Sequence, residues 1–480
     1  MKQRFTQFYN CAVCQPTRGA LYTGLYPRDG GKERIGLTSG ERLRAAGYLT
    51  GLFGKWGLSG RWGRQRPSER GFDETFAFLN TPRGYFRPKP APGDTIPPAG
   101  TVDPIDENGK PIRAEDLPGD FYATDAFSNR AADAIRKAAR SGQPFYFNLC
   151  YNAPHSPLHA LPEDIARVRG RYRDGYDAIR AQRFRRQTEL GLFAPHRASL
   201  TDTGLSTPLR GEHPFIKNYE IPAWERLVSE DRALYAERME VYAAMVERMD
   251  RGIGRVLAAL DETGLARNTA VFFLSDNGGS SEPSGATASG QMPVVPMGGP
   301  ESNEMVGPGW ALAQNTPFRR YKTWAYEGGI CTPMIARWPA AIEPGRIIRE
   351  AGHLVDFVPT FLELAGIGNP DTASDASVPP LEGRSLAPIL RGGKPPPRSV
   401  PLAWELWGNR ALREDRWKLV RTATARRWEL FDLEMDRAET TDLAARFPAR
   451  VAAMATQWDG WAKRTNPNGF TRMPPVRNRD

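Results

Sequence analysis

The sequence predicts an α/β protein: a large, mainly parallel sheet flanked by helices, followed by a small C-terminal antiparallel sheet with a helix packed on it. Three observations predict it. A helical pattern, a glycine and an apolar run follow one another at Tyr122–Arg140, Gly142 and Phe145–Tyr151. The same order returns at Tyr242–Leu260, Gly264 and Thr269–Ser275. Helix, turn and buried strand in that order is how crossovers lay strands parallel. From about Ser399 the texture changes to short strand-like runs between turn residues. A main α/β domain is expected over 1–395 and an α+β subdomain over 396–480.

Taken in order, Thr38-Ser39-Gly40-Glu41 spells a capping box that opens a short helix, and Tyr48–Gly54 follows as a strand. In the second unit Tyr242, Met245, Val246, Met249, Ile253, Val256, Leu257 and Leu260 step by threes and fours, which is one apolar helix face. Residues 160–228 and 278–309 are rich in Gly, Pro, Ser or Arg and read as long loops, the first with a helical piece at Asp177–Leu190. Pro401–Leu406, Trp417–Arg421 and Trp428–Leu433 read as strands, and Asp442–Lys463 as the last helix. Tryptophans in such strands are more often core than a carbohydrate platform.

At 480 residues the chain can bury a large core. Hydrophobic content of 40% and charged content of 25% are those of an ordinary globular protein. No apolar run is long enough to cross a bilayer, and Met1–Cys14 lacks the apolar centre of a secretory signal. Cytoplasmic and exported locations both stay open. Four scattered cysteines do not make a disulfide scaffold. The formal charge of +10 suits an anionic substrate. Acids are mixed among the basic residues and no nucleic-acid motif is present, so neither a nucleic acid nor a membrane is expected as partner.

The chemistry-bearing stretch is Cys14-Gln15-Pro16-Thr17-Arg18, followed by Leu21 and Thr23-Gly24. Cys11 and Cys14 also form a C-x-x-C, so a redox pair or zinc half-site stays open, although Cys150 and Cys331 are isolated. Further segments stand out: Gly47-Tyr48, Gly54-Lys55-Trp56, Arg70-Gly71-Phe72-Asp73, Pro154-His155-Ser156-Pro157, Ser275-Asp276-Asn277-Gly278-Gly279, Asn315-Thr316-Pro317-Phe318, Lys322 and Tyr326-Glu327-Gly328-Gly329. An arginine is always cationic and can hold an oxyanion. Lysines such as Lys55 and Lys322 can bind anionic oxygens, and a histidine such as His155 can protonate a leaving group. Asp276 and Asn277 follow a strand, where open α/β sheets place their ligands, and their oxygens suit Ca²⁺ or Mg²⁺. Alone, each has a plainer reading: lysines are usually surface residues, a histidine between prolines can cap a loop, and Asp-Asn-Gly is an ordinary turn. His159, His196, His213 and His353 carry no motif.

In order and spacing, these segments resemble the formylglycine-dependent sulfatase family, arylsulfatase-like members of the alkaline phosphatase superfamily, from about residue 4 to residue 465. The resemblance implies that a sulfatase-maturing enzyme oxidises Cys14 to formylglycine, whose hydrate attacks a small-molecule or carbohydrate sulfate ester. It further implies that Arg18 holds the diol, Lys55 and Lys322 bind sulfate, and His155 protonates the leaving group. Asp276, Asn277 and residue 14 would hold Ca²⁺ (or Mg²⁺), with Asp276 able to take the attacking proton. A phosphomonoester, phosphodiester or phosphonate hydrolase on the same scaffold stays open, as does an inactive truncated homologue. Two departures stand out. The family's opening strand, which ends in two aspartates and is expected at the centre of the sheet, has no counterpart here, so a true start upstream is expected, with a damaged fragment as the alternative. Gly57 stands where many members carry histidine.

Overall fold

The structure, a computed structural model, describes residues 2–27, 36–58, 65–79, 84–87, 105–194, 200, 221–282, 295–368, 378–423, 425 and 427–467. The chain opens with β1 (Gln3–Tyr9), α1 (Cys14–Thr23), α2 (Ser39–Ala45) and β2 (Leu49–Lys55). There follow β3 (Glu74–Phe78), β4 (Ile105–Glu107), β5 (Lys110–Ile112), α3 (Ala123–Ser141) and β6 (Phe145–Cys150). Next come α4 (Pro162–Val168), α5 (Gly175–Glu189), α6 (Ser229–Glu262), β7 (Val271–Leu274), β8 (Cys331–Arg337), β9 (Ile347–Ile348) and β10 (Gly352–His353). The last elements are the helix Phe357–Leu364, then β11 (Leu402–Leu406), β12 (Asn409–Glu414), β13 (Trp417–Arg421), β14 (Glu429–Asp432) and the closing helix Pro448–Thr465.

The mixed α/β architecture is the one the sequence predicts. The Thr38 capping box forms in full, with its side chain accepting from the Glu41 amide and the Glu41 carboxylate accepting from the Thr38 amide. One five-stranded sheet has the order β5-β4-β3-β2-β6, with β2 parallel to both β3 and β6. Gly54 sits where β2 and β6 run closest; a Cβ there would lie 2.0 Å from the Cys150 carbonyl oxygen. A second sheet has the order β10-β1-β8-β7, with β9 also on β1. Its β8 is antiparallel to both β1 and β7, so β1 and β7 run the same way.

These two sheets continue one another across a gap. Among the described residues β6 pairs only with β2, and β7 only with β8. Phe145, Phe147 and Val271 pack on α3 and α6 through Ile135, Ala259 and Leu260. On the opposite face, where alternate residues point, one ring spans both edges: Phe361 lies 5.2 Å from Tyr146 of β6 and 5.8 Å from Phe272 of β7. Helices therefore cover both faces of what is geometrically one doubly wound layer. Between its halves runs a cavity of about 990 Å³, lined by Phe145–Cys150 on one side and Val271–Leu274 on the other.

The third sheet, β11-β12-β13-β14, is antiparallel throughout and covered by the closing helix through Met454, Trp458 and Trp461. It is keyed to the main layer: the Trp404 indole donates to the Asn10 carbonyl at 2.7 Å and its ring lies 5.3 Å from Tyr9.

Three details depart from the sequence reading. The closing helix starts at Pro448 rather than Asp442, because Asp442 is spent accepting from the Leu430 and Ala444 amides in a turn, and Pro448 fits the first helical turn. β12 has no counterpart in the expected strands; the interspersed charges Arg410, Arg413 and Glu414 hide the apolar period. The stretch read as a long loop after residue 160 holds a second helix, α4. His196 and His213 lie outside the described residues.

Candidate active site

The site gathers where β1, β2, β6 and β7 end. β1 delivers the chain to a tight corner, in which the Ala12 amide donates to Asn10 Oδ1 at 2.7 Å and the Cys11 amide to Thr17 Oγ1 at 3.0 Å. Ala12 takes a left-handed φ of 63° there. The corner places Cys14 as the first residue of α1, where helix amide dipoles favour an anion.

Arg18, one turn further on, is buried with its Nη1 donating to the Lys55 carbonyl at 2.6 Å and its Nη2 3.4 Å from Asp276 Oδ2. One side chain thus ties the ends of α1, β2 and β7 together. Lys55 closes β2 and is buried. Lys322 is also buried and comes from the loop after Asn315. That loop is locked to the Asp276 turn: the Lys322 amide donates to the Gly279 carbonyl at 3.0 Å, and the Gly279 amide to Asn315 Oδ1 at 2.9 Å. Only glycine fits at 278, since a Cβ would fall 1.9 Å from the Gly328 carbonyl oxygen. His155, in the loop after β6, hydrogen-bonds through Nδ1 to the Ser156 carbonyl at 2.7 Å and through Nε2 to Lys322 Nζ at 3.4 Å.

Every catalytic residue that the sequence suggested therefore converges on one cleft: Cys14, Arg18, Lys55, His155 and Lys322, with Asp276 and Asn277 beside them. The electrostatics are those of an anion site. Burial pushes the Cys14 thiol up, and Asp276 adds to that. Lys55, Lys322 and a hydrogen bond from His155 outweigh both and bring the thiol down to about 6. Burial works against the Asp276 carboxylate too, but Arg18, Lys55 and Lys322 hold it below the usual range. Burial lowers Lys55, whereas Cys14, Glu282 and Asp276 raise Lys322 against its own burial. Cys11, by contrast, is buried in apolar surroundings that push its thiol far up, which argues against a reactive Cys11–Cys14 pair.

Gly57 adopts a φ of 76°, and a Cβ there would lie 3.2 Å from Arg18 Cδ and 3.4 Å from Lys55 Cε. A side chain at 57 would point into the cluster, and glycine leaves that space empty. His159 and His353 are structural: His159 is buried between the Tyr85 amide and the Ser302 carbonyl, and His353 caps a helical turn. Sequence reasoning missed Glu282, whose carboxylate lies 3.7 Å from Lys322 Nζ. It sits in a Gly/Ser/Pro-rich loop where no pattern marks it.

The residues present go only part of the way to a hard-cation site. Asn277 Oδ1 is buried with no hydrogen-bond partner, an oxygen free to ligate, and Asp276 offers a carboxylate beside it. Ca²⁺ takes six to eight oxygens and Mg²⁺ six. Among the described residues no three His, Cys, Asp or Glu side chains converge as metal ligands.

The sulfatase family pattern matches residues 1–367, and the C-terminal pattern of N-sulphoglucosamine sulphohydrolase matches residues 319–455. An uncharacterized sulfatase of Schizosaccharomyces pombe is 31% identical over 95% of this chain and 86% of its own length. An arylsulfatase of Klebsiella aerogenes is 32% identical over 80% of this chain and 84% of its own. Among solved structures, Ps i-CgsB superposes with a TM-score of 0.67 at 24% identity, over 98% of this chain and 87% of that one, and it has also been seen in complex with k-i-k-neocarrahexaose. With a family match over most of its length and relatives above 30% identity, the chain belongs to the sulfatase family and is a sulfuric ester hydrolase.

Proposed function

We propose that the chain hydrolyses sulfate monoesters, arylsulfatase-like in its chemistry, through the hydrate of a formylglycine formed from Cys14. The observation that carries this reading is the convergence of Arg18, Lys55 and Lys322, all buried, on residue 14 at the head of α1. Buried cations of that number need an anion, and a sulfate ester supplies one.

Cys14 Sγ marks the place that the two hydroxyls of the hydrate take after maturation. One hydroxyl oxygen attacks sulfur as its proton passes to solvent, the S–O bond to the alcohol breaks, and the alcohol leaves as its oxygen takes up a proton. His155 Nε2 accepts from the Lys322 ammonium, so a proton relayed from that lysine through the ring nitrogen can reach that oxygen. Lys55 and Lys322 hold the sulfate oxygens, and Arg18 fixes the diol. The second hydroxyl then gives up its proton, its oxygen becomes the carbonyl, and the bond to the sulfated oxygen breaks to release sulfate. Water restores the hydrate. A plain thiol has no such second step.

A Ca²⁺ or Mg²⁺ ion would take Asp276 and Asn277 as ligands and add positive charge at the sulfate. Since these residues do not complete its shell, no step is assigned to it. Asp276 is bonded to Arg18 and held ionised, which suits a ligand better than a proton acceptor. The relatives' names point to aryl, steryl and carbohydrate sulfates, and the substrate class is a small-molecule or carbohydrate sulfate ester.

The test is mass spectrometry of the Cys14 peptide after expression with a formylglycine-generating enzyme, with rates measured on matched aryl sulfate and aryl phosphate. Conversion at residue 14 with sulfate turned over faster supports the reading. A matured residue 14 with phosphate preferred would move the chain to the phosphoester class.

A further inference from the structure

Lys322 stands on a stretch of backbone that its own sequence does not favour. Thr323, the next residue, takes a left-handed φ of 78°, and Arg320 takes 66°. A β-branched residue rarely adopts that region and persists there only where its surroundings over-determine it. Ala12, two residues ahead of Cys14, is also left-handed, with a φ of 63°. The two meet directly: the Thr323 amide donates to the Ala12 carbonyl at 3.0 Å. The corner that carries the nucleophile and the turn that carries Lys322 therefore share a hydrogen bond.

The other side of Thr323 is held from the C-terminal sheet. Asn409 opens β12 just after Trp407 and Gly408, whose φ values of 51° and 90° close a two-residue hairpin. Asn409 is 1% exposed. Its Nδ2 donates to the Thr323 carbonyl at 3.0 Å, and its Oδ1 accepts from the Ala423 amide at 3.1 Å. A carbonyl on one side and an N–H on the other fix which way the carboxamide points. Two more bonds reach this segment from the C-terminal part of the chain. The Arg319 guanidinium donates to the Glu439 carbonyl at 3.3 Å, and the Glu327 amide to Glu439 Oε2 at 2.6 Å. Those two hold the ends of the segment; of the three contacts, the one from Asn409 falls beside Lys322.

We propose that Asn409 is a positioning residue for the sulfatase reaction: from the C-terminal sheet it fixes Thr323, and through Thr323 the direction in which Lys322 leaves the backbone. It acts through the lysine and touches no reacting atom itself. The Lys322 amide is bonded to the Gly279 carbonyl, which ties it to the Asp276 turn, and the Thr323 amide ties it to the corner before Cys14. With Asn409 in place, the peptides on both sides of Thr323 are pinned. Without it, the carbonyl side is free to turn and Thr323 can relax out of the left-handed region. The ammonium at the end of a long side chain then moves further than the backbone does, and a misplacement of about 1 Å at a catalytic group can cost about 10²-fold in rate. The catalytic half rests on the proposed function, whereas the strap from Asn409 to Thr323 rests on the geometry alone.

The test is a mutant cycle on the matured 480-residue chain with an aryl sulfate as substrate. Asn409→Ala should lower kcat about tenfold in the parent, but less than about threefold in a Lys322→Ala background, because the asparagine acts through that lysine. Asn409→Asp keeps an oxygen for the Ala423 amide but, ionised, has no hydrogen for the Thr323 carbonyl, and should lose as much as the alanine variant. Equal losses in the two backgrounds would make Asn409 a purely structural residue, and parent kcat in Asn409→Asp would show that the Thr323 bond is idle. Either result overturns the positioning role. Hydrogen exchange without substrate reads the strap itself. Asn409→Ala should speed exchange at residues 322–327 at least about tenfold and leave β13, residues 417–421, within about twofold of the parent. Unchanged exchange at 322–327, or equal acceleration in β13, would overturn the strap. A parent chain that matures yet leaves sulfate esters intact would sink the proposed function and the catalytic half with it, while the exchange pattern still decides whether Asn409 holds the Lys322 turn.

Discussion

Glu282 holds its carboxylate 3.7 Å from Lys322 Nζ, and that ammonium lies 3.4 Å from His155 Nε2. With Nδ1 turned to the Ser156 carbonyl as a donor, Nε2 presents a lone pair to the lysine. Burial pulls Lys322 down, but Glu282 is among the groups that raise it, so the lysine stays charged as pH rises. In matured enzyme, Glu282→Gln should move the alkaline limb of the pH–rate profile to lower pH, because one raising charge is gone. Glu282→Asp should restore part of it. Lys322→Ala should lower kcat by about 10²–10³, the usual cost of losing a donor to developing charge. An unmoved alkaline limb in Glu282→Gln would show that the carboxylate is a bystander.

Unmatured protein offers a direct view of the charge around residue 14. A thiol brought down to about 6 by Lys55, Lys322 and His155 is largely thiolate at neutral pH. Iodoacetamide should alkylate Cys14 with a half-maximal rate near pH 6, while Cys11, buried and pushed up, stays unmodified in the folded state. Lys55→Met should shift the Cys14 midpoint upward. A midpoint at the ordinary thiol value would mean that the lysines do not reach residue 14.

Much of this was legible in the sequence where the signal is local. The Thr38 capping box, the apolar face from Tyr242 and the strand before Asp276 follow from spacing alone, and each stands where it was expected. The cleft was legible only as a set of short segments in order, because Cys14, Lys55, His155, Asp276 and Lys322 come from five separate elements. Glu282 carries no local signature, since its meaning lies in which loop it meets. The half-burial of β6 and β7 ran against their composition: Phe145–Cys150 is apolar enough for a fully covered strand.

A buried charge cluster joins β13 to the segment behind Lys322, and no pattern in the sequence marks it. Lys418 Nζ lies 2.9 Å from Glu327 and 2.7 Å from Glu439, with Arg437 3.0 Å from Glu327, and the Lys418, Glu327 and Glu439 side chains are fully enclosed. Burial raises the Glu327 carboxyl, but Lys418, Arg437 and Arg413 outweigh it and hold the group well below the usual range. Removing one member leaves uncompensated charge in the interior. Lys418→Met should cost about 3–5 kcal/mol in urea unfolding. Adding Glu327→Gln and Glu439→Gln to that variant should recover a large part, because the orphaned carboxylates go with their partner. A single variant that unfolds at the parent midpoint would contradict the enclosure of this cluster.

His353 supplies a pH signature of folding that is independent of the site. Its ring is buried, its Nδ1 accepts from the Val355 amide at 3.2 Å, and burial with help from Arg398 lowers it to about 3 despite Asp356. The folded chain therefore keeps His353 neutral where the unfolded chain, at the ordinary histidine value near 6.5, already binds a proton. The unfolded state holds more protons between those two values, so stability rises with pH there. It is complete above about 6.5 and is lost as pH falls toward 3. The slope is about 1.4 kcal/mol per pH unit, so moving from pH 7 to pH 5 should remove about 2 kcal/mol through this group alone. His353→Asn keeps an oxygen to accept from the Val355 amide but cannot titrate. Urea unfolding of the two proteins at both pH values isolates the group, since every other titration is shared. The parent should lose about 2 kcal/mol more than His353→Asn, and equal losses would mean that His353 takes up its proton inside the folded chain.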